Sequence, residues 1–316
     1  SVVERKAKVE RGGGSFEYFE ADGRLGISLP CGLRVNGAST LTMRQKSLSV
    51  YFRGAYGASE ARYRFFADSA AASFASLVLR NSGQNAHGAR LKDSFCMRAV
   101  SGLNIEAVST RPVAVYVNGA YWGLYDLNEN QNEDFLAAHY GVNPDETDII
   151  RRNETVLAGA RTDFKRVRAF ALGQDTASDQ VYAELCRWID ADCFTDYLIA
   201  QTYFVNSDLV NQKYWRSQDY AVKWRPVYFD LDGAFSSVTS NLLISYFTEL
   251  GIPSPDGTIT NMDIYVGLYR NAAWRERFCK RYVYVVVNQF DPDRLIAVLD
   301  ELAAEEGDAL DEVLVR

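Results

Sequence analysis

The sequence predicts an α+β fold, with a β-rich first part over residues 1–130 and a mainly helical second part over residues 131–316. Three observations predict it. β-Formers alternate or cluster between glycines up to about residue 130, as half-buried strands require. Within them "YVNGAYWGLY" reads as strand, Asn-Gly turn, strand, the strongest short-range hairpin signal in the chain. After "NENQNEDFLAAHYG" the apolar residues recur at three- and four-residue spacing, the period of helices that bury one face.

Taken in order, strands are expected at residues 48–53, 61–66, 76–81, 111–119 and 121–127, with one helix at 90–102 that a glycine stops. Asn118 and Gly119 suit the positive φ of a tight hairpin turn, and Tyr121, Trp122 and Tyr125 read as packing residues. A connector falls near residues 128–132. Helices follow at 162–172, 178–189, 191–204, 271–289 and 291–304, and "SDQVYAE" and "DPDRLIAVLDEL" carry acids and caps at their starts. Between these helices lie two short strands, "KYWRS" and "YAVKWRPVYFDLD".

Composition narrows the function. The chain has 316 residues, 47% of them hydrophobic, enough for a large core. A net charge of −7 and pI near 5.1 argue against a general nucleic-acid or anionic-membrane surface. The longest aliphatic and aromatic run, "YVYVVV", is far too short to span a bilayer. The charged start "SVVERKAKVERGGG" has no apolar signal region and no initiator methionine, so an export signal removed by processing is compatible with it. Five scattered cysteines form no CxxC pair; they read as buried thiols, with a Cys186–Cys193 bridge the one pairing open to an exported protein. His87 and His139, the two histidines, have no metal-site or triad spacing.

The carboxylates carry more. "VYFDLDGAF" breaks an apolar strand with Asp230 and Asp232, and burying such charge costs several kcal/mol unless a partner offsets it. Some twenty residues earlier "FVNSDLVNQKYW" places Asp208 and Asn211 between a helix and a strand. An antiparallel hairpin would return Asp230 and Asp232 to the side of Asp208 and Asn211. Three carboxylates and an amide gathered there suit a hard divalent cation, which takes oxygen ligands. The order also matches phosphoryl transfer by kinases: a catalytic Asp, a metal-binding Asn, then a metal-binding Asp at a strand end before a glycine. The alternative is that Asp208 caps a turn and the other two end a strand in solvent. Upstream, Asn36 to Thr40 form a small-residue turn whose amides suit a phosphate, and Lys46 opens an apolar strand; alone, Lys46 also reads as a surface lysine. No GxGxxG or Walker motif is present.

Four segments together, "GASTLTMRQKS", "RPVAVYVNGAYWGLYDLNEN", "VNSDLVNQKYW" and "VYFDLDGAF", resemble the CotH kinase family of spore-coat-type atypical protein kinases, as does the tail "LYRNAAWRERFCKRYVYVVVNQFDPDRL". The resemblance runs over roughly residues 30 to 300. It implies an atypical protein-kinase-like fold, a β-rich N-terminal lobe and a helical C-terminal lobe, and transfer from ATP with Mg²⁺ or Mn²⁺ to Ser or Thr of a coat or envelope protein. By position, Lys46 looks like the phosphate-contacting lysine, with Ser39 and Thr40 in the turn that replaces a glycine-rich loop. Glu129 matches an acid after the hairpin that lines the nucleotide pocket. Asp208 looks like the catalytic Asp, Asn211 the amide metal ligand, Asp230 the main metal-binding Asp, and Asp232 a second ligand or a supporting group.

Two positions depart from the pattern. Asn211 follows Asp208 by three positions, where ordinary kinases place that Asn five after the Asp, and Asn85 stands where the family carries an acid. Asp93 and Glu106 are the carboxylates available to pair with Lys46. Two other functions remain open: nucleotidyl transfer (adenylylation) from the same ATP site, and a non-catalytic surface or scaffold module.

Overall fold

A computed structural model describes residues 12–37, 39–85, 88–151, 154–208, 211–243 and 262–314. Among them it has twelve strands and eight α-helices, a mixed α and β architecture. The chain forms two compact units. The first gathers the described residues of Ser1–Ser94, Val108–His139 and Leu299–Arg316; the second gathers those of Phe95–Ala107 and Tyr140–Val298. The units are not consecutive halves of the chain, since the segment after residue 94 and the last helix both change unit.

The first unit is built on an antiparallel six-stranded sheet of β1 (Gly12–Phe19), β2 (Leu25–Asn36), β3 (Ser47–Tyr51), β6 (Ser76–Arg80), β7 (Thr110–Val117) and β8 (Ala120–Glu129). Its spatial order is β1-β2-β3-β6-β8-β7. The Asn-Gly hairpin forms as expected: Asn118 and Gly119 take φ of 51° and 78°, and Tyr116 and Tyr121 meet edge to face across it at 5.4 Å. Tyr125 packs in the core, whereas Trp122 stands half exposed. Register gives the sheet two unlike faces. Val50, Leu77, Leu79, Tyr125 and Leu127 enter one apolar core with Phe52, Phe65, Phe66 and Phe74. Ser49, Val78 and Asn128 form a row on the opposite face, followed by Arg80 and Asp126.

Two differences from expectation have clear causes. "ARYRFF" is paired only as β4 (Ala61–Arg62), with β5 (Ser73–Phe74). Phe65 and Phe66 are consecutive and both buried, which alternation along a half-buried strand forbids. The hairpin β1–β2 went unread because glycines and Pro30 interrupt it. Pro30 lies opposite Ser15 of β1 and before β3 joins at Gly32, where β2 has a neighbour on one side only.

Of the helices, α1 (Lys92–Ala99) falls within the first expected helix, and α2 (Glu133–Tyr140) follows the hairpin. The second unit then adds α3 (Thr162–Gly173), α4 (Asp179–Trp188), α5 (Ala191–Tyr203), α6 (Asp263–Arg270) and α7 (Ala272–Asn288); α8 (Pro292–Leu314) closes the chain. The expected helix at 271–289 is α7, and Asn271 caps it by accepting from the Trp274 N–H at 3.0 Å. α6 was not expected, because Gly267 weakens its pattern. That glycine is required: a Cβ there would lie 2.9 Å from the Ala171 Cβ of α3.

The second unit also contains the sheet β10-β9-β11-β12, from β9 (Thr147–Arg151), β10 (Thr155–Ala158), β11 (Lys213–Ser217) and β12 (Arg225–Pro226). Its core is aromatic, with Phe164, Phe194, Tyr214, Trp215, Trp224 and Tyr265 all buried. Cys186 and Cys193 are free thiols, so the bridge left open by the sequence is not formed. No helix among the described residues is long and apolar enough to cross a membrane.

Candidate functional site

Antiparallel pairing of β11 with β12 is the hairpin the sequence predicts, with Tyr214 opposite Pro226. It has the expected local consequence. After α5 the chain turns at Val205, and Asn206 becomes a buried clamp. Its amide donates to Gln201 at 2.8 Å, and its oxygen accepts from the Asp208 N–H at 3.1 Å. Ser207 donates both its N–H and its hydroxyl to the Gly233 carbonyl, at 3.0 and 3.2 Å. A Cβ on Gly233 would stand 2.6 Å from Asn206 Oδ1 and 3.1 Å from the Asp208 nitrogen. The glycine after "DLD" is therefore what lets the Asp208 segment lie against the 231–233 turn.

Asp230 takes φ 60° and ψ 60°, a left-handed conformation that Asp tolerates better than most residues. The chain then enters a 3₁₀ turn, Leu231–Gly233. Asn211 meets Asp230 directly, donating its side-chain amide to the carboxylate, while Arg151 donates to the Asn211 oxygen at 3.0 Å. Since arginine can only donate and a carboxylate can only accept, the partners fix which end of the amide is which.

The structure does not gather Asp208, Asp230 and Asp232 into a three-acid cluster. Among the described residues no three His, Cys, Asp or Glu side chains are grouped to hold a metal ion. The turn at Asp230 separates the acids along the chain, and mutual repulsion opposes their convergence. What the hairpin does bring together is Asn211 with Asp230, and the Asp208 backbone with Gly233. These donors are hard oxygens with no thiol or imidazole among them, a chemistry that fits Mg²⁺ or Mn²⁺ completed by phosphate oxygens.

Sequence reading missed two cations here. Lys213 lies opposite Arg151 in the β9–β11 register, and its ammonium sits 4.6 Å over the Phe229 ring. Burial, and next the Arg151 charge, lower its pKa to about 7, with Asp230 acting against them. Its signal was visible as a lysine opening the strand two positions after Asn211. Arg151 was invisible because β9 itself was not recognised.

In the first unit, Lys46 precedes β3 and donates to the Met43 carbonyl at 2.6 Å. Ser39 and Thr40 belong to one short 3₁₀ turn, Ser39–Thr42, after Gly37 at φ 120°. Neither carboxylate considered for Lys46 is left to it by the geometry: Asp93 pairs with Arg80 at 3.2 Å, while Glu106 binds Arg225 and accepts from the Tyr140 hydroxyl at 2.7 Å. Glu129 lines a narrow cleft with Phe74, Ser76, Asn130, Asn132 and His139. Its buried carboxylate bonds the Ser69 hydroxyl at 2.8 Å, the Ser109 N–H at 2.9 Å and His139 at 3.0 Å. His139 is thus a partner of Glu129; His87 lies outside the described residues.

A family model described as CotH kinase protein matches residues 33–312, nearly the whole chain. The chain belongs to the CotH kinase family. That membership points to a kinase-like function, and the matched stretch contains every residue named above from Lys46 to Asp232. No curated protein matches this CotH kinase family chain.

Proposed function

We propose that this CotH family protein is an ATP- and divalent-metal-dependent protein kinase that phosphorylates Ser or Thr of a coat or envelope protein. The observation that carries the reading is the pairing of Asn211 with Asp230 beside a turn on which the Asp208 segment hangs, inside a chain that a kinase family model matches over residues 33–312. The β-rich first unit and the helical second unit are taken, each by itself, as much-altered counterparts of the kinase lobes.

In this reading Asp230, with Asn211 and Asp232, would hold Mg²⁺ or Mn²⁺, which would supply positive charge to offset that of the phosphates. Lys46 adds a cation to the phosphates, with the Ser39–Thr40 turn beside it and Glu129 lining the nucleotide cleft. Asp208, exposed and fixed through its backbone by Asn206, orients the acceptor hydroxyl and takes its proton. The bond from the acceptor oxygen to the γ phosphorus forms as the bridge to ADP breaks. The coat or envelope setting is the one the family resemblance implies.

The test is to incubate the protein with γ-labelled or α-labelled ATP, Mg²⁺ and a Ser/Thr-rich acceptor. Label transferred from the γ position, and abolished in Asp230→Asn, is the expected result. Label retained only from the α position makes the protein a nucleotidyl transferase. No ATP binding and no transfer leaves a surface or scaffold module.

A further inference from the structure

The phosphate-contacting cation of a protein kinase sits on a strand of the β-rich lobe and is held by a carboxylate from the following helix. In this chain β6 is the central strand that directly precedes α1. It ends on Arg80, and the first turn of α1 carries Asp93. Arg80 Nε lies 3.2 Å from Asp93 Oδ2.

Three further features favour a functional pair. Arg80 stands on the polar face of the sheet, opposite Asp126 in register, and on the same face as Ser49, Val78 and Asn128. The two partners are unequally placed: the Arg80 side chain is 21% exposed and that of Asp93 only 3%, so a buried acid holds a cation that reaches accessible space. The nearby Arg90 shows the contrasting case, closed on the buried Asp126, Glu306 and Ser82. Finally, the end of β6 is tied to the segment that leads into β3. Asn81 bonds the Ser47 hydroxyl through its N–H at 3.0 Å, and its amide donates to the Gln45 carbonyl at 2.7 Å.

We infer that Arg80 is the cation that contacts the phosphates of ATP and that Asp93 is the residue that positions it. This rests on the kinase reading and revises it, with Lys46 at the start of the neighbouring strand demoted to a supporting charge. A helix docked for stability alone would be served as well by an apolar pair, because a buried ion pair is weak evidence for stability. A guanidinium also offers the forked geometry that phosphate oxygens accept.

The experiment measures Kd for MgATP and for adenosine on the full chain, by calorimetry, together with Tm. The variants are Arg80→Ala, Arg80→Lys, Asp93→Asn and Lys46→Ala. Arg80→Ala is expected to weaken ATP by about 10- to 100-fold while adenosine binding stays within about twofold, the loss of a charge-assisted bond to phosphate. Arg80→Lys recovers part of the affinity. Asp93→Asn weakens ATP less than Arg80→Ala does. The inference is overturned if folded Arg80→Ala or Arg80→Lys binds ATP like wild type, above all if Lys46→Ala carries the loss. A change in Tm with unchanged Kd also overturns it, as that marks a structural pair. Should Arg80→Ala not fold, the Arg80→Lys comparison of ATP with adenosine decides. Wild type that binds no ATP overturns the kinase reading and this inference with it, whereas binding that ignores Arg80 overturns the inference alone.

Discussion

Asn211 stands between Arg151 and Asp230, accepting from the guanidinium through its oxygen and donating to the carboxylate through its nitrogen. In this arrangement the amide orients Asp230, and on the proposed reading a bound metal would compete with Arg151 for the amide oxygen. Asn211→Ala is therefore expected to raise the Mg²⁺ concentration for half-maximal transfer by about 10- to 100-fold, the usual effect of removing a group that orients a metal ligand. An unchanged Mg²⁺ titration would remove Asn211 from the site.

Asp208 has its backbone fixed and its side chain exposed. On the proposed kinase reading Asp208→Asn keeps the shape and removes the base, so kcat is expected to fall by about 10²- to 10⁴-fold while Kd for ATP stays near wild type. Single-turnover phosphate transfer checks this. Full transfer by the variant would mean that the acceptor proton goes elsewhere.

Gly233 leaves no room for a side chain between the two acid-bearing segments. Gly233→Ala places a methyl group against Asn206 Oδ1 and the Asp208 nitrogen, neither able to retreat without breaking its own bonds. We expect a loss of about 1–3 kcal/mol in urea unfolding and impaired transfer together. A stable variant with normal transfer contradicts the packing described here.

The buried group of Arg90, Asp126 and Glu306 makes stability depend on pH in an unusual direction. Arg90 lies 2.7 Å from Glu306 and 3.4 Å from Asp126, yet burial raises the carboxyl pKa of both acids, with Arg90 offsetting only part. With a folded pKa above the unfolded 4.5, the folded chain holds the Glu306 proton more tightly. This contribution is therefore gained as pH falls through the raised folded value towards 4.5, and is absent above it. Glu306→Gln abolishes it, so wild type gains on the variant by up to about 1.4 kcal/mol per pH unit on acidification. A difference between the two that is constant from pH 7.5 to 5 would refute the assignment.

Much of the architecture was legible in local patterns. The Asn118–Gly119 turn, the strands around it and six of the helices follow from turn chemistry and from periods of 2 and 3.6 residues, which depend only on neighbours in sequence. The two acid-bearing segments were legible too, because a hairpin relates residues through a short stretch of chain. β1, β2, β9 and α6 were not legible, since glycine, proline or short length blurred their period and long-range pairing supplied what propensity lacked.

By itself the sequence determined the α and β composition, the family resemblance and the pairing of the Asn211 and Asp230 segments. Only tertiary structure decided which charges meet. It gave Asp93 to Arg80 and Glu106 to Arg225, placed Arg151 on Asn211, buried Lys213, and kept the three aspartates from forming one cluster. The physical reason is range. Secondary structure answers to residues a few positions apart, whereas an ion pair depends on strands and helices that the chain brings together across many residues, where burial multiplies the effect of each ångström.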